Sequence, residues 1–243
     1  MSRLNQLWLP SVKAEHGAPG AFAKFSVYQQ DAIEWLRQIN NESIDLSITD
    51  IAYESLEKHR AVGTTTRLKG SWFDIFPNSR MEELFVEFFR VQKKDSHLYF
   101  FCDSETMFIA KPIAESVGFK FWKPIVWDKR KIGMGYHYRA RCEFILFFEK
   151  GKRKLKDLSI PDILEEPRIH KGYPTEKPVG LIETLVKQSS SVGELVIDPF
   201  MGSGSTGVAA VRTGRNFIGC DTSQQAFDLA RHRLLDEAAT EIT

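Results

Sequence analysis

The chain has 243 residues, 42% of them hydrophobic, enough for one domain with its own core and little more. Its net charge of +1 gives no overall pull toward nucleic acid or an anionic membrane. No apolar run approaches a membrane span, the opening MSRLNQLWLP lacks the apolar core of a secretion signal, and Cys102, Cys142 and Cys220 are too scattered for a disulfide framework or zinc site. The expectation is a cytosolic protein with reduced thiols and no metal.

In chain order, Lys24–Tyr28 reads as a short strand and Asp31 as the N-cap of a helix reaching about Ile39. Ser43–Thr49 alternates, with Ile44, Leu46 and Ile48 on one face, and predicts a strand ending at Asp50. Residues 54–77 hold Gly63, a run of three threonines, Gly70 and Pro77 without a period, and a loop that long is functional or mobile. Ser79 and Glu82 have capping-box spacing ahead of a helix whose Leu84, Phe85, Phe88 and Phe89 make a core face. His97–Cys102 predicts a buried strand. Ser104–Val117 predicts a helix with Pro112 inside it and Gly118 ending it. Phe119–Trp127 and Cys142–Phe148 are two further strands.

The last third alternates regularly. A helix from Glu176 to about Ser189 leads to the strand Glu194–Asp198, a glycine turn, a helix to about Arg212, the strand Asn216–Cys220 and a helix over Gln224–Ala238. That alternation predicts an α/β fold, a mostly parallel sheet with helices on both faces, and nothing divides residues 1–243 into two domains. The run Lys150–Lys156 (KGKRKLK) is a solvated loop on the plain reading. With Lys129, Arg139 and Arg141 it is also the candidate phosphate-facing edge, through Lys129, Arg139, Lys152, Arg153 and Lys154 in particular.

The most informative stretch is Val196–Gly207, where Gly202, Gly204 and Gly207 form a GxGxxG pattern between a strand and a helix. Such a turn lets a ligand approach the backbone and the free amides of a helix N-terminus. The next strand ends at Asp221, 23 residues after Asp198, where an acid can accept from ribose hydroxyls. A dinucleotide and the adenosine of S-adenosylmethionine both fit that layout. A triphosphate does not, because the P-loop lysine is missing.

Taken with Asp50-Ile51-Ala52-Tyr53 at the end of a buried strand, the motifs resemble those of the DNA amino-methyltransferases. Asp198-Pro-Phe200-Met-Gly202-Ser203-Gly204-Ser205-Thr206 is similar to the family's cofactor motif. Tyr173-Pro-Thr175-Glu-Lys177-Pro-Val179 is similar to its segment closing over the methionine part of the cofactor. Gly214–Asp221 is similar to its second cofactor strand. Gln30-Asp31 resembles the approach to the catalytic loop, and Trp127–Lys129, Gly135-Tyr136 and Glu143 resemble the later catalytic-domain motifs.

The resemblance spans about residues 24–237, with the catalytic motif first, the circularly permuted order of the β class. It implies a Rossmann-like methyltransferase fold with a catalytic half at 24–150, a small target-recognition segment at 151–172 and a cofactor half at 173–238. It implies S-adenosylmethionine as cofactor and double-stranded DNA as partner, allows a homodimer, and involves no membrane. Cofactor contacts would come from Asp31, Thr175, Lys177, Asp198, Phe200, Gly202, Ser203, Gly204, Ser205, Thr206 and Asp221. The Asp50 side chain and the Ile51 carbonyl would accept from the target amino group, with Tyr53 stacked on the base; the Asp form is the more frequent one on adenine N6, with cytosine N4 as the alternative target. Ile51 and Ala52 stand where the family has two prolines, which removes stiffness from the loop. That departure keeps open a non-enzymatic DNA-binding protein, and the glycine turn alone leaves a dinucleotide oxidoreductase as the other alternative.

Overall fold

The computed structural model describes residues 12–13, 22–56, 74–133, 137–170 and 172–240. Most of the loop expected over 54–77, and Gly135 and Tyr136, lie outside these residues. A small sheet pairs β1 (Val12–Lys13) with β2 (Phe22–Ala23). The main sheet has eight strands: β3 (Phe25–Gln29), β4 (Ile44–Asp50), β5 (Gln92–Cys102), β6 (Lys120–Asp128), β7 (Cys142–Lys150), β8 (Ile163–Glu165), β9 (Leu195–Asp198) and β10 (Asn216–Asp221). Their order is β3-β10-β9-β4-β5-β7-β6-β8, and every neighbouring pair is parallel except the two that involve β7. The mostly parallel α/β sheet expected above is therefore the fold. The reversal at β7 and the edge strand β8, inside the proposed recognition segment, are additions to it.

The helices are α1 (Ala32–Leu36), α2 (Met81–Val91), α3 (Ser104–Val117), α4 (Val179–Ser189), α5 (Ser205–Arg212) and α6 (Gln224–Thr240). Asp31 caps α1 by accepting from the amides of Ile33 and Glu34, and Asp103 caps α3 through Thr106. Gly118 ends α3 at φ 118°, a left-handed value that glycine tolerates. The Ser79–Glu82 capping box does not form. The chain enters α2 through a 3-10 turn over Asn78–Arg80, and Glu54 accepts from the Asn78 backbone and side-chain amides instead.

Each face of the sheet buries a separate apolar cluster. On one face α1, α2 and α3 pack Trp35, Phe85, Phe88 and Ala110 against Leu98, Phe100 and Phe148. On the other, α4, α5 and α6 pack Leu185, Val208 and Leu234 against Leu46, Ile48, Tyr99 and Phe217. Ile44 packs with the first cluster while Leu46 and Ile48 pack with the second, so the expected single face of β4 breaks there. The cause is a register shift between Ile44 and Leu46 against β5. The helices after β4 and β9 lie on opposite faces, which opens a crevice at the carboxyl ends of these adjacent strands.

Candidate active site

That crevice is a cavity of about 770 Å³, within the range of small-molecule sites. The strand tips deliver acids to it: Asp50 from β4, Asp198 from β9 and Asp221 from β10. At one end, Gly202 sits at φ 48° and its amide donates to Asp221 Oδ2 at 2.9 Å, while Ser223 N donates to Oδ1 at 2.9 Å. Tyr173, Phe200 and Phe76 add aromatic walls, the last two edge-to-face at 5.2 Å. Acid at the strand tip, ring surfaces and an open glycine together suit a nucleoside with ribose hydroxyls.

The three glycines differ in task. Gly202 faces the cavity. A Cβ on Gly204, at φ 80°, would lie 2.8 Å from the Ala230 Cβ, and one on Gly207 would lie 2.6 Å from the Phe217 ring. Gly204 is not among the residues lining the cavity; its lack of a Cβ lets α6 close on the turn.

Asp198 is buried behind the turn and accepts from Thr206 Oγ1 at 2.7 Å and Phe200 N at 3.0 Å. Burial pushes its carboxyl up to about 7, against those hydrogen bonds. Between pH 4 and 7 the folded chain then binds a proton that the unfolded chain has released, so stability falls as pH rises through this window. Asp198→Asn is expected to remove up to about 4 kcal/mol of that decline. The check is the melting temperature of the ligand-free protein from pH 4 to 8, wild type against variant; parallel curves would refute it.

At the other end, Asp50-Ile51-Ala52-Tyr53 leaves β4. Ile51 is 1% exposed, in the cluster under α1 and α2. Phe76 N donates to the Ala52 carbonyl at 2.8 Å, and Ser55 Oγ donates to Asp103 at 2.5 Å. These contacts fix the loop where the missing prolines would have stiffened it. They also commit the Ala52 carbonyl, leaving that of Ile51 as the backbone acceptor beside Asp50. Tyr53 is a half-buried wall whose hydroxyl burial holds strongly protonated.

Lys177 joins the catalytic end of the cavity. Its ammonium is bonded to Asp50 Oδ2 and lies 3.5 Å from Glu143, whose other oxygen is 2.6 Å from Lys129. Burial raises the Asp50 carboxyl, with Lys177 opposing and Glu143 adding to the rise. Glu143, despite its burial, is held low by Lys177 and Lys129. Lys177, despite its burial, stays protonated through Asp50 and Glu143. Both lysines therefore belong to this charged group, and Lys177 also lines the cavity in which its cofactor contact is expected. Glu143, a lone acid in the apolar strand CEFILFF, was the available signal.

Asp31, Thr175, Phe200, Ser203, Ser205 and Thr206 also line the cavity. Asp31 is already committed, capping α1 and taking both Arg80 amino groups at 2.9 and 3.0 Å. The basic run does not reach the cavity. Because β7 is antiparallel, Lys150 pairs with Ser96 while Asp50 pairs with Phe101, which puts the run roughly 16 Å down the sheet. Lys150 donates to the Phe89 and Gln92 carbonyls at 2.8 and 2.7 Å, and Arg153 pairs with Glu194 at 2.5 Å. Lys152 and Lys154 are exposed there, so the solvated-loop reading fits this run. Arg139 is exposed at the cavity's end of the sheet, beyond β6.

Comparison with known proteins fits this geometry. A Type II methyltransferase of Haemophilus parahaemolyticus, M.HhaII, is 26% identical over 202 residues, covering 79% of this chain and 89% of its own. The structure titled M1.HpyAVI-SAM complex superposes with a TM-score of 0.67 at 24% identity, over 86% of this chain and all of its own. The PvuII DNA methyltransferase, titled cytosine-N4-specific, superposes at 0.68 with 15% identity, over 90% and 92%. The family model described as DNA methylase matches residues 44–166 and 156–232. The chain is a member of the N6/N4 DNA methylase family.

Proposed function

We propose that this chain transfers the methyl group of S-adenosylmethionine to the exocyclic amino nitrogen of a DNA base, adenine N6 in preference to cytosine N4. The observation carrying the reading is that Asp50–Tyr53 and the Gly202–Asp221 nucleoside site share one cavity. The acid at position 50 supports adenine, through the resemblance noted above.

An exocyclic amino nitrogen is a weak nucleophile because its lone pair is delocalised into the ring, and the base must leave the duplex to enter the cavity. Tyr53 stacks on it, a contact worth about 1–3 kcal/mol. The Asp50 carboxylate and the Ile51 carbonyl accept its two N–H bonds and stabilise the positive charge growing on nitrogen. Held at the Gly202–Asp221 end of the cavity, the cofactor would supply an electrophilic methyl on a positively charged sulfur that would keep the C–S electron pair. The nitrogen then sheds one proton, with Asp50 the acceptor in place.

The test is transfer of labelled methyl from S-adenosylmethionine to mixed-sequence DNA, followed by digestion to nucleosides. Label on N6-methyl-2′-deoxyadenosine supports the reading, label on N4-methyl-2′-deoxycytidine replaces its finer part, and no label overturns it.

DNA reaching this cavity meets the carboxyl ends of the parallel strands, where Lys131, Arg139 and Arg168 are exposed. Neutralising these three is expected to reduce the salt slope of DNA binding by about two to three, and neutralising Lys152 and Lys154 to leave it unchanged. Equal effects from the two sets would show that DNA does not approach from this end.

A further inference from the structure

We propose that Lys177 is a positioning residue for methyl transfer: clamped between Asp50 and Glu143, it holds Asp50 as a charged acceptor aimed at the incoming amino group. The inference rests on the reading of Asp50 given above and extends it to a residue outside the catalytic tetrapeptide.

Among the described residues, the groups around Asp50 come from several elements. They are Lys177 ahead of α4, Glu143 on β7, Lys129 beyond β6, Asp198 on β9, Tyr53 on its own loop, and Cys102 with Asp103 at the end of β5. Of these only Lys177 and Lys129 are cationic, and Lys129 is bonded to Glu143 at 2.6 Å. Lys177 is therefore the one cation in contact with Asp50 among the described residues. Without it, Asp50 would face Glu143 and Asp198 with its side chain only 24% exposed, and such a carboxylate takes up a proton more readily. A protonated acid offers an O–H where the reaction needs a lone pair.

The lysine is also confined. Its side chain is 12% exposed, and its ammonium lies 5.3 Å from the Phe101 ring centre and 6.0 Å from that of Trp127. Glu143 splits its two oxygens between Lys129 and Lys177, so Lys177 is held by a second carboxylate besides Asp50. It engages Oδ2, which leaves Oδ1 to meet the base.

Three variants test this: Lys177→Met, Lys177→Arg and Glu143→Gln. Two readouts are used, the pH dependence of single-turnover methylation and a carbon-13 carboxylate titration of Asp50 in the ligand-free protein. Lys177→Met should move the Asp50 titration and the acidic limb of the rate profile up by at least one pH unit. Glu143→Gln should move both down, because it removes a like charge and gives Lys177 wholly to Asp50. Lys177→Arg should restore the wild-type limb. Affinity for S-adenosylmethionine, measured by calorimetry, should stay within about threefold in all three, since the clamp lies away from the nucleoside end.

Opposite shifts from the two neutralising variants cannot come from general loosening of the fold, and the near-ultraviolet circular dichroism of each variant identifies misfolding. An Asp50 titration that does not move in folded Lys177→Met overturns the proposal, as does a tenfold loss of cofactor affinity with the titration in place. If the wild type methylates no DNA, the titration still decides the role of Lys177 while the proposed function falls.

Discussion

Asp50→Ala is expected to slow single-turnover methylation by at least about a hundredfold while leaving affinity for S-adenosylmethionine within a few-fold of wild type. The variant removes the acceptor whose hydrogen bond strengthens as charge builds on the attacking nitrogen. It leaves intact the Asp198–Thr206 turn, where Asp198 still takes the Thr206 hydroxyl and Asp221 the Gly202 amide. Lys177 keeps Glu143 as a partner, so no cation is stranded. The measurement pairs a rapid-quench transfer assay with calorimetry. A wild-type rate would move the chemistry elsewhere, and a parallel loss of cofactor affinity would show that the two ends of the cavity are not separable.

The complementary result is expected for Asp221→Ala, a loss of cofactor affinity of at least about a hundredfold. Hydrogen bonds to a charged group contribute about 1.5–3 kcal/mol each, so two ribose bonds exceed 3 kcal/mol, and each 1.4 kcal/mol is tenfold. Part of the effect passes through the protein, because the same carboxylate accepts from Gly202 N and Ser223 N and so holds the turn in shape. Asp221→Asn separates the two: its carbonyl retains the Gly202 bond while the charge is lost. Burial raises the Asp221 carboxyl, so cofactor affinity in the wild type should fall as pH drops through that raised value, and lose this pH dependence in Asp221→Asn. Unchanged affinity in the alanine variant would place the ribose elsewhere.

What could be read from the sequence was what neighbouring residues decide among themselves. The strand–glycine–helix unit at 195–212, the cap at Asp31 and the stop at Gly118 each rest on a few consecutive side chains. The charged group around Asp50 was illegible for the opposite reason. Lys177 and Asp50 stand 127 residues apart, and only the pairing of β4, β5 and β7 brings Glu143 to the same place. The basic run misled because charge is local but position is not: one reversed strand sends Lys150–Lys156 to the far end of the sheet. The Ser79 box failed because a 3-10 turn over Asn78–Arg80 leads into α2 and puts Arg80, not Ser79, at its N-cap, with Glu54 of the catalytic loop fastening the turn at Asn78.

The neighbours of β4 and β10 have a consequence for how the molecule is made. β4 lies against β9 with Leu46 opposite Val196, and β3 lies against β10 with Phe25 opposite Phe217. Every such pairing closes a loop of well over a hundred residues, and contacts of this range are formed slowly. The crevice is bounded by a strand from the first quarter of the chain and one from the last. A chain still growing on the ribosome therefore has no cleft at all until β9 and β10 have emerged, however well its earlier helices have formed. A truncation before residue 195 should therefore yield a protein that neither binds S-adenosylmethionine nor transfers methyl, rather than a weaker version of the full chain.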